Sequence, residues 1–304
     1  MPDSYFKGDP NFSDITISES LPRSALLWMD WCFINAGAFY NIHVPSSGNY
    51  GGDFSKLRPV SDPRTTNGRV WETYKSNLVW ESGMKNPNIN ISGVYVNNTL
   101  ISSGYTINYP LGLVKFDSAI STNSTVQMEF SAKHIKFIDA NELPIFRQIQ
   151  SNSYRVENPT YLSSSGDYAA LAESRLQFPI VAIQTSNVTS TAYELGNYNL
   201  QGSVTILAHV LAETDLDVKR ISDIIHNQKS TQFHLVDENS LAASGKIILD
   251  YNGNKTNTTM TYPEIINRFP SKECFIVDSF LEPIQTVAPD LYKRTVRLKT
   301  EIIF

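Results

Sequence analysis

Ser203-Val204-Thr205-Ile206-Leu207-Ala208-His209-Val210-Leu211-Ala212 is the stretch on which the fold turns. Apolar residues occupy both faces of its alternation, the pattern of a central strand covered from two sides. A helix follows directly. Thr214 serves as its cap, Asp215 and Asp217 sit at its positive end, and Val218, Ile221, Ile224 and Ile225 form a core stripe. Gln232-Phe233-His234-Leu235-Val236 is the next strand. Upstream, Phe178-Pro179-Ile180-Val181-Ala182-Ile183 is a strand that Pro179 confines to an edge or a strand start. The C-terminal stretch from Tyr292 to Phe304 alternates throughout. Arg294, Val296, Leu298, Thr300, Ile302 and Phe304 share one face, with Lys293, Arg297 and Lys299 opposite. Burying that apolar face predicts pairing beside the 203–212 strand or at the sheet edge, with the basic face toward solvent or a lumen.

Working toward the N-terminus, residues 1–20 read as a polar extended arm. Ser20 is positioned to cap a helix with Pro22 in its first turn. Ala25 to Ile34 is apolar on almost every face, so that helix is buried on several sides, and Gly37 ends it. Residues 41–69 form a Gly/Pro-punctuated loop too long for an ordinary connection. The segment from Val70 to Glu81 is strand or short helix; its periodicity does not decide between them.

Residues 89–139 read as a β-meander. Val94-Tyr95-Val96 meets Thr99-Leu100-Ile101 across Asn97-Asn98, a hairpin signal. Tyr105 to Tyr109 turns through Pro110-Leu111-Gly112 into Leu113 to Phe116. Thr125 to Phe130 then alternates toward Ile138. Together these readings predict an α+β fold, a mixed sheet with flanking helices that carries a small β-sandwich or barrel. The expected division places residues 1–83 and 143–304 in one α+β domain and residues 84–142 in the inserted β-module.

The 304 residues suffice for a sizeable core. Charged residues make up 18%, below the roughly 25% usual for globular domains. Ser, Thr and Asn fill the gap, while 15 Tyr and 15 Phe add amphipathic surface and argue against disorder. A net charge of -5 without a Lys/Arg cluster is unlike a dedicated nucleic-acid binder. Cys32 and Cys274 cannot make a disulfide framework or a zinc knuckle. The Met1-Pro2-Asp3-Ser4-Tyr5 start lacks signal-peptide character, and the Ala25–Tyr40 stretch is short for a membrane span and carries Asp30. The expectation is a soluble chain from a reducing compartment, with no membrane partner. Seven Asn-x-Ser/Thr sequons, Asn97, Asn123 and Asn187 among them, follow from the composition.

The search for chemistry returns little. No phosphate-binding glycine loop and no HExxH occur, and His43, His134, His209, His226 and His234 never pair at ligand spacing. His209 and His234 read as hydrogen-bonded structural residues on strands. Ser82-Gly83-Met84-Lys85 has the SxxK spacing without its companion motifs. Asp250-Tyr251-Asn252-Gly253-Asn254 starts like a calcium loop, but Lys255 and Thr261 stand where Gly and Glu are needed. Glu72 and Glu81 form a carboxylate pair of unfixed separation. Trp71, Tyr74 and Trp80 are core or contact aromatics, or a stacking surface for sugars. No residue is singled out as catalytic, cofactor-binding or metal-ligating, and no cofactor is expected.

The order Pro179–Ala182, Val204–Ala212, Val218–Ile225 and Leu235-Val236-Asp237 resembles the tail-terminator and neck proteins of tailed bacteriophages. Gly93 to Asn97, Gly104 to Asp117 and Leu57 to Pro63 are similar to a β-module of phage virion proteins. The resemblance implies a non-enzymatic virion protein, assembled in the host cytoplasm into a homo-oligomeric ring at the head–tail junction. It implies a hexamer or dodecamer meeting neck, portal-adaptor or tail-tube and sheath proteins, with DNA only as passing cargo. The rival expectation is a tail-tip or fibre-associated receptor or glycan binder.

Overall fold

The computed structural model describes residues 17–44, 54–60, 65–140, 177–192, 200–288 and 290–303. It is mixed α+β, mostly sheet with few helices. Helix α1 (Ile17–Asn35) leads into β1 (Phe39–Ile42), β2 (Arg58–Pro59), β3 (Val70–Glu72), β4 (Val94–Val96) and β5 (Thr99–Ile101). Next come β6 (Tyr105–Asn108), β7 (Leu113–Phe116), β8 (Val126–Met128), β9 (Phe130–Lys133) and β10 (Lys136–Asp139). Long strands β11 (Ile180–Ala192) and β12 (Leu200–Ala212) precede α2 (Asp215–His226), β13 (Gln232–Val236), α3 (Glu238–Ala243) and α4 (Tyr262–Arg268). The described chain closes with β14 (Pro270–Leu281), β15 (Gln285–Ala288) and β16 (Leu291–Ile303).

One sheet dominates, in the order β10-β11-β12-β16-β14-β13, with β15 paired to β16. β12 is central, as its two-faced apolar pattern predicts, and β16 lies beside it from Gln201↔Ile303 to Ala212↔Tyr292. Val204, Ile206, Ala208 and Val210 share a core with Val296, Leu298 and Ile302 because residues two apart face one side. α1 and α2 pack on this concave face. The sheet curls into a half barrel, so α1 reaches β13 at one edge and β10 and β11 at the other.

That closure solves an edge problem. β13 exposes unpaired backbone groups on its outer side, and side chains satisfy them instead of a further strand. Ser24 Oγ accepts from Val236 N at 3.0 Å, Ser20 Oγ donates to Val236 O at 3.3 Å, and Tyr262 Oη donates to His234 O at 3.0 Å. Trp28 stacks on Phe233 with ring centroids 4.8 Å apart. Ser20 is thus spent on the sheet, and the helix begins at Ile17 rather than there, with Pro22 inside it. Its end is as expected. Gly37 adopts φ 92°, its N–H reaches Ile34 O, and Ala38 N reaches Phe33 O, closing the last carbonyls of the helix.

A second, smaller core collects Trp71, Leu78, Val94, Ile107, Val114, Phe116, Val126, Met128 and Phe130. Two sheets bound it, β2-β3-β7-β6 and β5-β4-β8. Asn97 and Asn98 take φ 48° and 65°, so the hairpin signal is a turn with both central residues left-handed. Leu57, Trp71 and Leu78 precede residue 84 yet pack in this core, while Lys136–Asp139 pair with β11 in the large sheet. The Val70–Glu81 stretch is strand only at β3.

Three further expectations change. The alternation from Thr125 toward Ile138 is three strands in three sheets, because β9 is buried on both faces and pairs with β1 instead of β4. Ile224 of the helical stripe is 43% exposed, while Val218, Ile221 and Ile225 are buried. On β16 Arg297 and Lys299 face outward, but Lys293 is buried, flanked by Leu211 on β12 and Gln285 on β15. Most of the 1–20 arm, much of the 41–69 loop, the Ser163-Ser164-Ser165 tract and Phe304 lie outside the described residues.

Ile302 is fully buried in the concave core, so Ile302→Ala is expected to cost about 2–4 kcal/mol. Urea unfolding of the variant measures it. Deleting residues 300–304 also removes the Thr300 Oγ1 bond to Val204 O (2.8 Å) and should cost more.

Candidate functional site

A polar cleft of about 270 Å³ lies where the two units meet. Arg58 on β2 and Glu72 on β3 are direct cross-strand partners, so both side chains leave the same face. Beyond β3 the backbone turns: Thr73 N and Oγ1 both donate to Gly112 O, at 2.8 and 2.9 Å. Gly112, at φ 68°, admits this approach, since a Cβ there would stand 2.3 Å from Thr73 Oγ1. The turn projects Tyr74 and Lys75 into the cleft. Ser76 N and Oγ each donate to Gln177 Oε1 at 3.0 Å, which ties the turn to the approach to β11. Glu213, just after β12, completes the wall.

Tyr74 is 43% exposed. The Phe54 ring meets it edge-on at 4.7 Å, and Lys75 Nζ lies 5.8 Å from its centroid. Two cations, Arg58 and Lys75, stand against two carboxylates, Glu72 and Glu213, so the walls are close to neutral. Of the three aromatics singled out in the sequence, only Tyr74 faces outward. Trp71 is buried and donates Nε1–H to Gly68 O at 2.9 Å, and Trp80 is buried as well. Glu72 and Glu81 likewise part company. Glu72 lines the cleft, whereas Glu81 is buried elsewhere.

Glu81 belongs to an ionic cluster that joins α1 to the smaller unit. Lys133 Nζ on β9 lies 2.5 Å from Asp30 Oδ2 and 2.6 Å from Glu81 Oε1. Burial disfavours the Lys133 ammonium, but the two carboxylates outweigh it and raise its pKa. Burial pushes the Glu81 carboxyl up, Lys133 pulls it down, and Asp30 adds to the rise. The cluster sets two carboxyl groups against one ammonium. Its role is mechanical: α1 cannot part from β9 without exposing charges that would lose their partners.

The remaining sequence candidates fall in separate places. His209 Nδ1 lies 3.1 Å from Thr295 Oγ1, His226 Nδ1 2.9 Å from Ser279 Oγ, and His134 Nδ1 2.5 Å from Tyr40 Oη. His43 Nδ1 is 3.8 Å from Glu129 Oε1. His234 sits on β13. Among the described residues no group of three or more His, Cys, Asp or Glu is placed to hold a metal ion. Asp250 Oδ1 accepts from Asn252 N and Asn254 N at 2.9 and 2.8 Å, so its carboxylate closes its own turn. In the SxxK segment, Lys85 N donates to Asn35 Oδ1 at 2.8 Å, which seats it against the end of α1. Arg58, Lys75, Gln177, Glu213 and the Asp30–Glu81–Lys133 cluster carried no motif. Only the structure shows that Lys133 is buried with the rest of β9.

Replacing Lys133 with Met should cost about 3–5 kcal/mol, since it leaves the buried Glu81 and the partly buried Asp30 without their cation. The triple change Asp30→Leu, Glu81→Leu, Lys133→Met should recover most of that loss in urea unfolding. A second expectation concerns pH. Burial, reinforced by the Lys293 ammonium, lowers His209 from 6.5 to about 4. The unfolded chain then takes up this proton first, so the stability tied to His209 is full above pH 6.5 and falls away toward pH 4. His209→Gln should flatten that part of the pH–stability curve, by on the order of 1–3 kcal/mol.

Comparison with family models, curated proteins and solved structures finds no match to the chain.

Proposed function

We propose that the chain is a non-enzymatic structural subunit of a tailed-phage virion. In this reading it assembles with copies of itself into a ring in the neck, as a head–tail connection, tail terminator or collar. The observation that carries the proposal is an apolar trough between α1 and α2. Trp28, Met29, Cys32, Phe33 and Ile224 line about 200 Å³ of it, open to the surface. Leu216, in the first turn of α2, is 73% exposed. Apolar surface of this kind is what an oligomer covers.

The strand order supports the same reading. The segments that resemble the neck proteins fold as β11, β12, α2 and β13, with α2 directly behind the long central strand. The trough lies on that helix. A ring subunit uses different surfaces on its two sides, so one apolar face meeting a distinct neighbouring surface suits a heterologous contact closed by rotation.

Light scattering after size exclusion, followed by negative-stain averages, tests the proposal. A closed hexamer or dodecamer is expected. Ile224→Asp should shift it toward monomer while leaving the unfolding midpoint nearly unchanged, since the side chain is half exposed. A chain that stays monomeric at high concentration overturns the reading, and a trimer transfers it to the fibre.

A further inference from the structure

The cleft at the junction of the two units is a different kind of surface from the α1–α2 trough. We infer that it binds a neutral carbohydrate unit, with Tyr74 as the stacking platform. Two observations converge with the chemistry of sugar rings. The Tyr74 ring makes a T-shaped contact with Phe54 and has Lys75 Nζ over it at 5.8 Å, yet it remains close to half exposed, so its orientation is set before a ligand arrives. The axial C–H groups of a sugar ring are weakly positive and pack on the electron-rich face of such an aromatic, the geometry that also attracts cations. Around it stand planar or forked polar groups on rigid elements: Arg58 and Glu72 on paired strands, with Gln177 and Glu213 at strand ends. A polyhydroxylated ring presents donors and acceptors in alternation, which this mixture of guanidinium, amide and carboxylate groups matches.

Charge decides the ligand class. Arg58 and Lys75 would suit a phosphate or a carboxylate if they stood alone. Glu72 and Glu213 share the same walls, so a dianion entering the cleft would be repelled about as much as attracted. A neutral hydroxyl-rich ligand meets no such penalty, because each charged group forms a charge-assisted bond to a hydroxyl whatever its sign. The volume of about 270 Å³ is small for a drug-sized ligand and suits a single sugar residue of a longer chain. Recognition of one unit implies millimolar affinity for a monosaccharide, raised by multivalency if several copies of the chain present the cleft together.

Saturation-transfer NMR on the full chain tests this with the methyl glycosides of glucose, galactose, N-acetylglucosamine and glucuronic acid. At least one neutral glycoside should receive saturation, and Tyr74→Ala should abolish it while the thermal unfolding midpoint stays in place. Arg58→Gln provides the same readout through a second exposed residue and should weaken the signal several-fold. Three outcomes overturn the inference: no transfer to any neutral glycoside, transfer to the glucuronide alone, or transfer that survives Tyr74→Ala. Because the readout is binding to the free chain, it is independent of whether the chain forms a ring.

Discussion

A single helix lying across a curled sheet is the constraint on which this molecule rests. The half barrel has two edges, and α1 touches both. Without it, β13 would present open backbone groups, and the concave row from Val204 to Ile302 would face water. The helix therefore needs apolar residues on most of its surface, together with Ser20 and Ser24 placed to bond strand backbone. This explains a sequence that is apolar all round yet too polar at its start for a membrane. Among the described residues no helix is long and apolar enough to cross one.

The same helix anchors the smaller unit. Asp30 projects from its middle into a space shared with Glu81 and Lys133, and the short distances there bind β9 to α1. Such a cluster contributes less to net stability than an apolar packing of equal volume would. It ties the two units together through three side chains at hydrogen-bond distance. Lys255 Nζ, 3.2 Å from Trp80 O, and Tyr109 N, 2.9 Å from Gly253 O, add contacts across the same junction. The relative placement of the units is therefore enforced at several points.

Fixing that placement creates the cleft. Arg58, Glu72, Tyr74 and Lys75 come from the smaller unit, while Gln177 and Glu213 come from the ends of the large sheet. Neither unit alone would hold these groups together. The α1–α2 trough is a different consequence of the same architecture. Two helices share one concave face, and Ile224, one position before a buried Ile225, turns outward into the trough between them.

Read as a sequence, the chain already determined its local elements. Periodicity two over Val204–Val210 and Val296–Ile302, the Thr214 cap of α2, the Asn97-Asn98 turn and the Gly37 stop are short-range physics, and each formed where its residues required. Tertiary structure decided what periodicity cannot encode. The Phe130–Lys133 run became a strand of its own because it is buried from both sides, a fact of its surroundings. Lys293 became buried because β15 pairs with β16 beside it. Trp71 and Trp80 became core and Tyr74 surface, although all three look alike as aromatic residues in one segment. The charges at 30, 81 and 133 met across 103 residues because folding fixed a distance between them that no spacing in the chain expresses.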